Sequence, residues 1–176
     1  MTGAVTTAGG QVRLYYNDAG QFGSALSPDG LVFVLDGGTR VSADQADESG
    51  GIRHPCVIRL SDNSYRMFYD ATDSDNVTRI KTAVSSDGLA WTKQGVVISP
   101  AQVTALGTPA PDYAGTPGAV IDSGGLIRLF FSTRGPNAVS TLKGIYMATS
   151  TNGTTFTVQA GPIVSEFSSG GLDFNP

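Results

Sequence analysis

The stretch Cys56-Val-Ile-Arg-Leu-Ser-Asp-Asn-Ser-Tyr-Arg-Met-Phe-Tyr69 is present in three versions in this chain of 176 residues. Gly3-Ala-Val-Thr-Thr-Ala-Gly-Gly-Gln-Val-Arg-Leu-Tyr-Tyr16 lies on it without a gap, and so does Gly118-Ala-Val-Ile-Asp-Ser-Gly-Gly-Leu-Ile-Arg-Leu-Phe-Phe131. Each version has an apolar run, a polar or glycine-rich turn, then Arg, Leu or Met, and two aromatics. Arg13, Arg66 and Arg128 fall in register, as do the pairs Tyr15/Tyr16, Phe68/Tyr69 and Phe130/Phe131. Two apolar runs around such a turn predict a β-hairpin. Its threefold recurrence predicts a repeat array.

The second half of each repeat agrees. Ser27-Pro-Asp-Gly30, Ser85-Ser-Asp-Gly88 and Ser150-Thr-Asn-Gly153 share the pattern Ser-x-Asx-Gly. An Ala stands two residues before each Ser (Ala25, Ala83, Ala148), and an aromatic three residues after each Gly (Phe33, Trp91, Phe156). Asx-Gly accepts the positive φ of a tight hairpin turn. Every repeat therefore reads as a four-stranded antiparallel meander, the unit of a β-propeller blade. The spacing is 53 residues from Thr2 to Pro55, 62 from Pro55 to Pro117 and 59 from Pro117 to Pro176. The expected blades are 2–54, 55–116 and 117–176, with first-blade strands near 3–6, 11–16, 22–27 and 31–35.

Composition fits an all-β chain of one domain. There are 23 glycines and only 15% charged residues, and no window sustains a helical period. A net charge of −4 with no basic patch argues against nucleic acid as a partner. No apolar stretch approaches the roughly 20 residues of a membrane-spanning helix, and this stretch of sequence shows no signal-peptide pattern. A single cysteine supplies no disulfide framework, so the compartment stays open. Zinc-ligand spacing, a phosphate loop and a Ser-His-Asp order are not found, and no cofactor is expected.

Meander topology puts the turns between strands 1 and 2 and between 3 and 4 on one face. The remaining connections form the other face, and they vary. Arg13 to Asp29 spans 16 residues, Arg66 to Asp87 spans 21 and Arg128 to Asn152 spans 24. A variable, polar loop face is the expected binding face. Its loops are 17–22, 36–54, 70–78, 99–116, 132–143 and 165–175. Its innermost residues precede the first strand of each blade: Arg53-His54-Pro55, Gly115-Thr116-Pro117 and Phe174-Asn175-Pro176.

The residues Arg53-His54-Pro55-Cys56-Val57-Ile58, Tyr65-Arg66-Met67-Phe68-Tyr69 and Ala83-Val84-Ser85-Ser86-Asp87-Gly88-Leu89-Ala90-Trp91 resemble one blade of the five-bladed propellers of the arabinanase, invertase and levansucrase superfamily of glycoside hydrolases. The resemblance covers all three repeats. It implies carboxylates from different blades around an axial pocket, as glycoside hydrolysis requires. Where such acids would precede the inner prolines, this chain has His54, Thr116 and Asn175. The nearby acids are Asp47, Glu48, Asp112 and Asp173, and the resemblance makes Asp173, Asp112 and Glu48 the candidate catalytic residues. His54, Arg53, Thr116 and Asn175 are the candidate ligand-binding residues.

Each candidate has a plainer reading beside it. His54 can act as a general acid, a metal ligand or a sugar hydrogen-bonding group, or serve a structural role. Asp in a loop commonly caps a turn. Trp91 shares its register with Phe33 and Phe156, so packing between blades is expected of it. The three repeated arginines are expected to be structural, pairing with Asp29 and Asp87 or with carbonyls. Cys56 is expected to be a small buried thiol.

Three blades do not close a ring, since propellers need about four to eight. Either the chain is part of a longer product or copies associate. A homodimer of six blades is the expected assembly. Two functions remain open: a carbohydrate-active propeller, hydrolytic or purely binding, and an interaction or scaffolding propeller without small-molecule chemistry.

Overall fold

The computed structural model describes residues 2–105, 112–134 and 144–165. The Ser-x-Asx-Gly motifs fold identically in all three repeats. The Oγ atoms of Ser27, Ser85 and Ser150 accept the N–H of Gly30, Gly88 and Gly153 at 2.9, 2.8 and 2.8 Å. The side chains of Asp29, Asp87 and Asn152 accept the N–H two residues on, from Leu31, Leu89 and Thr154. The glycines take φ of +79°, +75° and +74°, which explains their presence. The other hairpin turn is also repeated. Gly10, Asn63 and Gly125 sit at φ +81°, +67° and +83° and donate to the carbonyls of Thr7, Leu60 and Asp122.

These turns join three antiparallel meanders. Blade 1 contains β1 (Thr2–Thr6), β2 (Val12–Asp18), β3 (Gln21–Ser27) and β4 (Val34–Ser42) in that spatial order. Blade 2 contains β5 (Gly51–Arg59), β6 (Tyr65–Thr72), β7 (Thr78–Ser85) and β8 (Thr92–Ile98). Blade 3 contains β9 (Tyr113–Ile121), β10 (Ile127–Arg134) and β11 (Gly144–Ser150). Its fourth strand is split, with β12 (Thr157–Val158) and β13 (Val164–Ser165) pairing with opposite ends of β11. One parallel bridge, Thr78 to Tyr113, ties β7 to β9.

Three details differ from the sequence reading. The Asx turn occupies the chain as far as Phe33, so β4 begins at Val34 and runs on to Ser42. β5 begins at Gly51, inside the segment expected to be loop. The segment after β8 holds a short helix, α1 (Pro100–Thr104), started by a capping box in which Ser99 N–H donates to Gln102 Oε1 at 2.7 Å.

The core lies between the blades. Successive side chains of a strand point to opposite faces, so β6 sends Met67 and Tyr69 towards blade 1 and Phe68 towards blade 3. This is why apolar residues run on without alternation. Tyr15, Phe22, Ile52, Met67 and Tyr69 form the first interblade layer; Phe68, Ile80, Leu129, Phe131 and Phe156 form the second. Trp91 packs edge-on against Tyr15 at 5.7 Å, between blades 1 and 2. Two of the repeated arginines reach carbonyls, while Arg128 pairs with Asp122, and the carboxylate beside Arg13 is Asp36 rather than Asp29. Arg13 donates to Asp87 O at 2.9 Å, and Arg66 donates to Gly153 O at 3.1 Å and Asn152 O at 3.3 Å. Each thereby binds the Asx-Gly turn of the following blade.

Candidate functional site

The inner strands β1, β5 and β9 pack side by side. A Cβ on Gly3 would lie 2.1 Å from the carbonyl oxygen of Pro55, so only glycine fits there. The Sγ of Cys56 accepts the N–H of Ala119 at 3.2 Å, and burial pushes the thiol pKa up. At the axial face both β5 and β9 bulge. The β5–β6 ladder shifts between Arg53↔Asp70 and Cys56↔Phe68; the β9–β10 ladder shifts between Gly115↔Ser132 and Gly118↔Phe130. The inserted residues are His54-Pro55 and Thr116-Pro117.

His54 and Thr116 both adopt left-handed backbone, at φ +55° and +54°. This costs a non-glycine residue about 1–2 kcal/mol, and it is unusual for a β-branched side chain. A proline following each already disfavours the right-handed region. The bulge turns both side chains onto one polar cluster. Strain kept at equivalent positions of two repeats marks residues whose direction matters.

The cluster is centred on Asp70, in β6, whose side chain is 3% exposed. Its Oδ2 lies 2.5 Å from His54 Nδ1 and accepts the Tyr113 hydroxyl at 3.2 Å. Its Oδ1 accepts the Thr116 N–H at 2.9 Å. Tyr113 Oη and Thr116 Oγ1 are 2.9 Å apart, and Thr116 Oγ1 and Ser132 Oγ are 2.8 Å apart. With Nδ1 held by the Asp70 carboxylate, Nε2 remains as the second polar atom of the His54 ring. The His54–Asp70 and Thr116–Ser132 contacts are the same contact in successive blades.

A cleft of about 340 Å³ opens over this cluster, lined by Arg53, His54, Asp70, Asn76, Thr78 and Tyr113 among others. That volume lies at the small end of the range for ligand clefts. A second cleft, of about 570 Å³, adjoins it at Gly50 and Arg53 and extends between blades 1 and 2 past Asn17, Gln21 and Ser42. Arg53 is exposed between the two, its Nη2 donating to Gly50 O at 3.3 Å.

The other candidates are distributed around this face. Glu48 underlies the larger cleft with a fully buried side chain. Its Oε1 is 3.0 Å from Lys81 Nζ and accepts the Tyr69 hydroxyl at 3.1 Å; its Oε2 is 2.5 Å from Lys93 Nζ. Asp47 pairs with Lys81 at 2.7 Å. Both acids thus hold the 3₁₀ turn Ala46–Glu48 onto blade 2. Burial pushes the Tyr69 phenol pKa well above its usual range, and the Glu48 charge adds to this. Asp112 stands at the entrance to β9, its carbonyl accepting the Thr78 N–H at 2.9 Å. Its Oδ1 is buried without a partner among the described residues. Asp173 and Asn175 lie outside the described residues.

Asp70, Tyr113 and Ser132 escaped the sequence reading. The signal was one position beyond the aligned stretch, where the aromatic pairs are followed by Asn17, Asp70 and Ser132. Among the described residues, no group of three or more His, Cys, Asp or Glu side chains is placed to hold a metal ion. No helix among them is long and apolar enough to cross a membrane.

No protein-family model matches the sequence, and no curated protein matches it either. Solved structures do match. Fructan 1-exohydrolase IIa from Cichorium intybus superposes with a TM-score of 0.72 at 17% identity, over 91% of this chain and 31% of that one. A family 117 glycoside hydrolase from the marine bacterium Zobellia galactanivorans gives 0.72 at 12% identity, over 96% of this chain and 57% of the other. The β-1,2-mannobiose phosphorylase of Listeria innocua gives 0.66 at 14%, over 88% and 56%. The chain therefore spans between 31% and 57% of the length of these proteins. Its three blades have the fold of the five-bladed β-propeller glycoside hydrolases.

Proposed function

We propose that this is a carbohydrate-active propeller that binds a sugar in the axial cleft over Asp70. The observation that carries the reading is the strained His54, held by Asp70 at 2.5 Å through Nδ1 and lining the cleft. A sugar presents hydroxyls that both donate and accept. His54 Nε2, the Arg53 guanidinium, Asn76 and the Thr116 and Tyr113 hydroxyls offer matching partners. Asp70, buried and accepting from three sides, fixes the directions of His54, Tyr113 and Thr116 before any ligand arrives. Preorganisation of this kind lowers the cost of ordering groups on binding.

Hydrolysis of a glycosidic bond uses two carboxyl groups about 5–10 Å apart. Among the described residues lining the smaller cleft, Asp70 is the one carboxylate. Binding is therefore the activity that this face supports by itself, and it is the one to test. Calorimetric titration with fructans and β-1,2-mannosides, the sugars named for two of the similar structures, is the first assay, followed by a wider glycan panel. Binding by the intact chain that weakens at least tenfold in His54→Ala and in Asp70→Asn supports the reading. Sugar binding untouched by both substitutions overturns it.

The same reading includes a second copy of the chain as partner, the two making a six-bladed homodimer around a shared axis. Its support is apolar exposure at both ends of the blade stack. Leu31, Val32, Val34 and Leu35 on blade 1 are 81%, 73%, 71% and 71% exposed, and Val120 and Ile145 on blade 3 are 51% and 41% exposed.

A further inference from the structure

The two junctions inside the chain follow one rule. At the first, Arg13 donates to Asp87 O, the Tyr15 hydroxyl donates to Gly88 O at 3.0 Å, and the Tyr15 ring meets Trp91 edge-on. At the second, Arg66 donates to Asn152 O and Gly153 O, and Phe68 meets Phe156 edge-on at 5.7 Å. The glycine of each turn is required by this contact. A Cβ on Gly88 would stand 2.8 Å from Tyr15 Oη, and one on Gly153 would stand 2.3 Å from Arg66 Nε. A junction is thus an Arg-x-aromatic from the second strand of one blade, seated on the Ser-x-Asx-Gly turn and following aromatic of the next.

Each end of the stack carries one half of this arrangement. Blade 3 presents Arg128 and Phe130 in the positions of Arg66 and Phe68. The Arg128 side chain is 39% exposed, against 9% for Arg13, and it pairs with Asp122 of its own blade at 3.1 Å. The ladder places Val120 beside Arg128, and Met147 beside Phe130. Blade 1 presents the Ser27–Gly30 turn, already closed by its own hydrogen bonds, and Phe33. A Cβ on Gly30 would meet only Val12, at 3.5 Å. Leu14 and Leu35 occupy the face where blades 2 and 3 bury Met67 and Leu129 completely against their neighbours.

We propose that blade 3 of one copy docks on blade 1 of a second, with Arg128 bonded to the Ser27–Gly30 turn and Phe130 packed against Phe33. The inference rests on the reading that a second copy completes the ring, and it names the surface. The complementarity is specific. A guanidinium left half in solvent meets turn carbonyls free of a guanidinium, and two apolar faces of the type buried twice within the chain meet each other.

Sedimentation of the full chain over a dilution series tests this. Wild type is expected at twice the 18.2 kDa chain mass. Arg128→Glu and Gly30→Asn should each weaken association roughly 100-fold, because each damages two junctions per dimer at about a tenfold cost apiece. Asn tolerates the left-handed backbone at Gly30, so the circular dichroism of both variants should stay that of wild type. The two variants mixed together should associate, since one junction between them is intact: Arg128 of the Gly30→Asn chain against the native turn of the other. A wild-type monomer at all concentrations overturns both this docking and the ring reading, and makes a further blade of the same polypeptide the occupant. A dimer indifferent to both substitutions overturns the docking surface alone.

Discussion

Arg66→Ala is the sharpest probe of how the blades hold together. Arg66 is 7% exposed and its guanidinium makes four hydrogen bonds. Two stay within blade 2, to Thr82 Oγ1 at 3.3 Å and Gln94 Oε1 at 2.8 Å, and two cross to the carbonyls of Asn152 and Gly153. Hydrogen bonds from a charged donor contribute about 1.5–3 kcal/mol each, net of water. Burial works against this and pulls the Arg66 pKa below its usual value, so the lower end of that range applies. The two crossing bonds then give a loss of about 3–4 kcal/mol on truncation. Arg66→Lys keeps a charge but cannot fork to both carbonyls, and about 1–2 kcal/mol is expected. Urea unfolding followed by circular dichroism measures both. Arg128→Ala, in protein diluted until copies separate, should cost less than about 1 kcal/mol, as for an exposed ion pair. A loss below about 1 kcal/mol for Arg66→Ala would refute the view that the repeated arginine is the interblade fastener.

Four further outcomes are expected. Gly153→Ala should destabilise the chain by more than about 2 kcal/mol, because the new Cβ meets Arg66 and φ is +74°; Gly161→Ala, at φ +75° with open space, should cost only the backbone strain of about 1 kcal/mol. Glu48→Ala should cost about 3–5 kcal/mol in thermal or urea unfolding, since it leaves the buried Lys81 with reduced compensation and takes one partner from Lys93. Tyr15 and Tyr69 are pushed above the usual phenol range, chiefly by burial; the unfolded chain therefore loses those protons first, and stability should fall as pH rises above about 10, with both phenols silent in an ultraviolet titration until unfolding. Cys56, half-buried and raised in pKa, should react with a disulfide reagent at pH 8 more slowly than free cysteine, and at a free-thiol rate once unfolded.

The blades were legible because their signals are local. A Ser-x-Asx-Gly turn satisfies itself with its own side chains, so three copies in the sequence become three copies in space. The axial cluster was harder to see because its members meet only after folding. His54 and Thr116 were reachable from the proline that follows each. Asp70 was not: it lies 16 residues from His54 and 46 from Thr116, and the apolar pattern gives no reason to suspect a carboxylate inside β6. Glu48 showed the opposite difficulty. As an acid near an inner proline it looks available, yet two lysines and a tyrosine from β6, β7 and β8 enclose it.

The repeat also says where chemistry can differ between blades without disturbing the frame. Asn17, Asp70 and Ser132 occupy one position in three blades, and each makes a polar contact at the axial end. Asn17 Nδ2 donates to Ile52 O of the next blade at 2.6 Å, Asp70 accepts the Thr116 N–H of the next blade, and Ser132 Oγ donates to Gly115 O at 3.3 Å. A neutral side chain thus suffices to tie the inner strands together, as Asn17 demonstrates. A charge at 3% exposure is costly unless it is matched by donors, and blade 2 places one here. The left-handed backbone does not depend on that charge, since Thr116 keeps the same φ beside the neutral Ser132. What the carboxylate adds is its hold on the His54 ring, which is the arrangement the proposed sugar site uses.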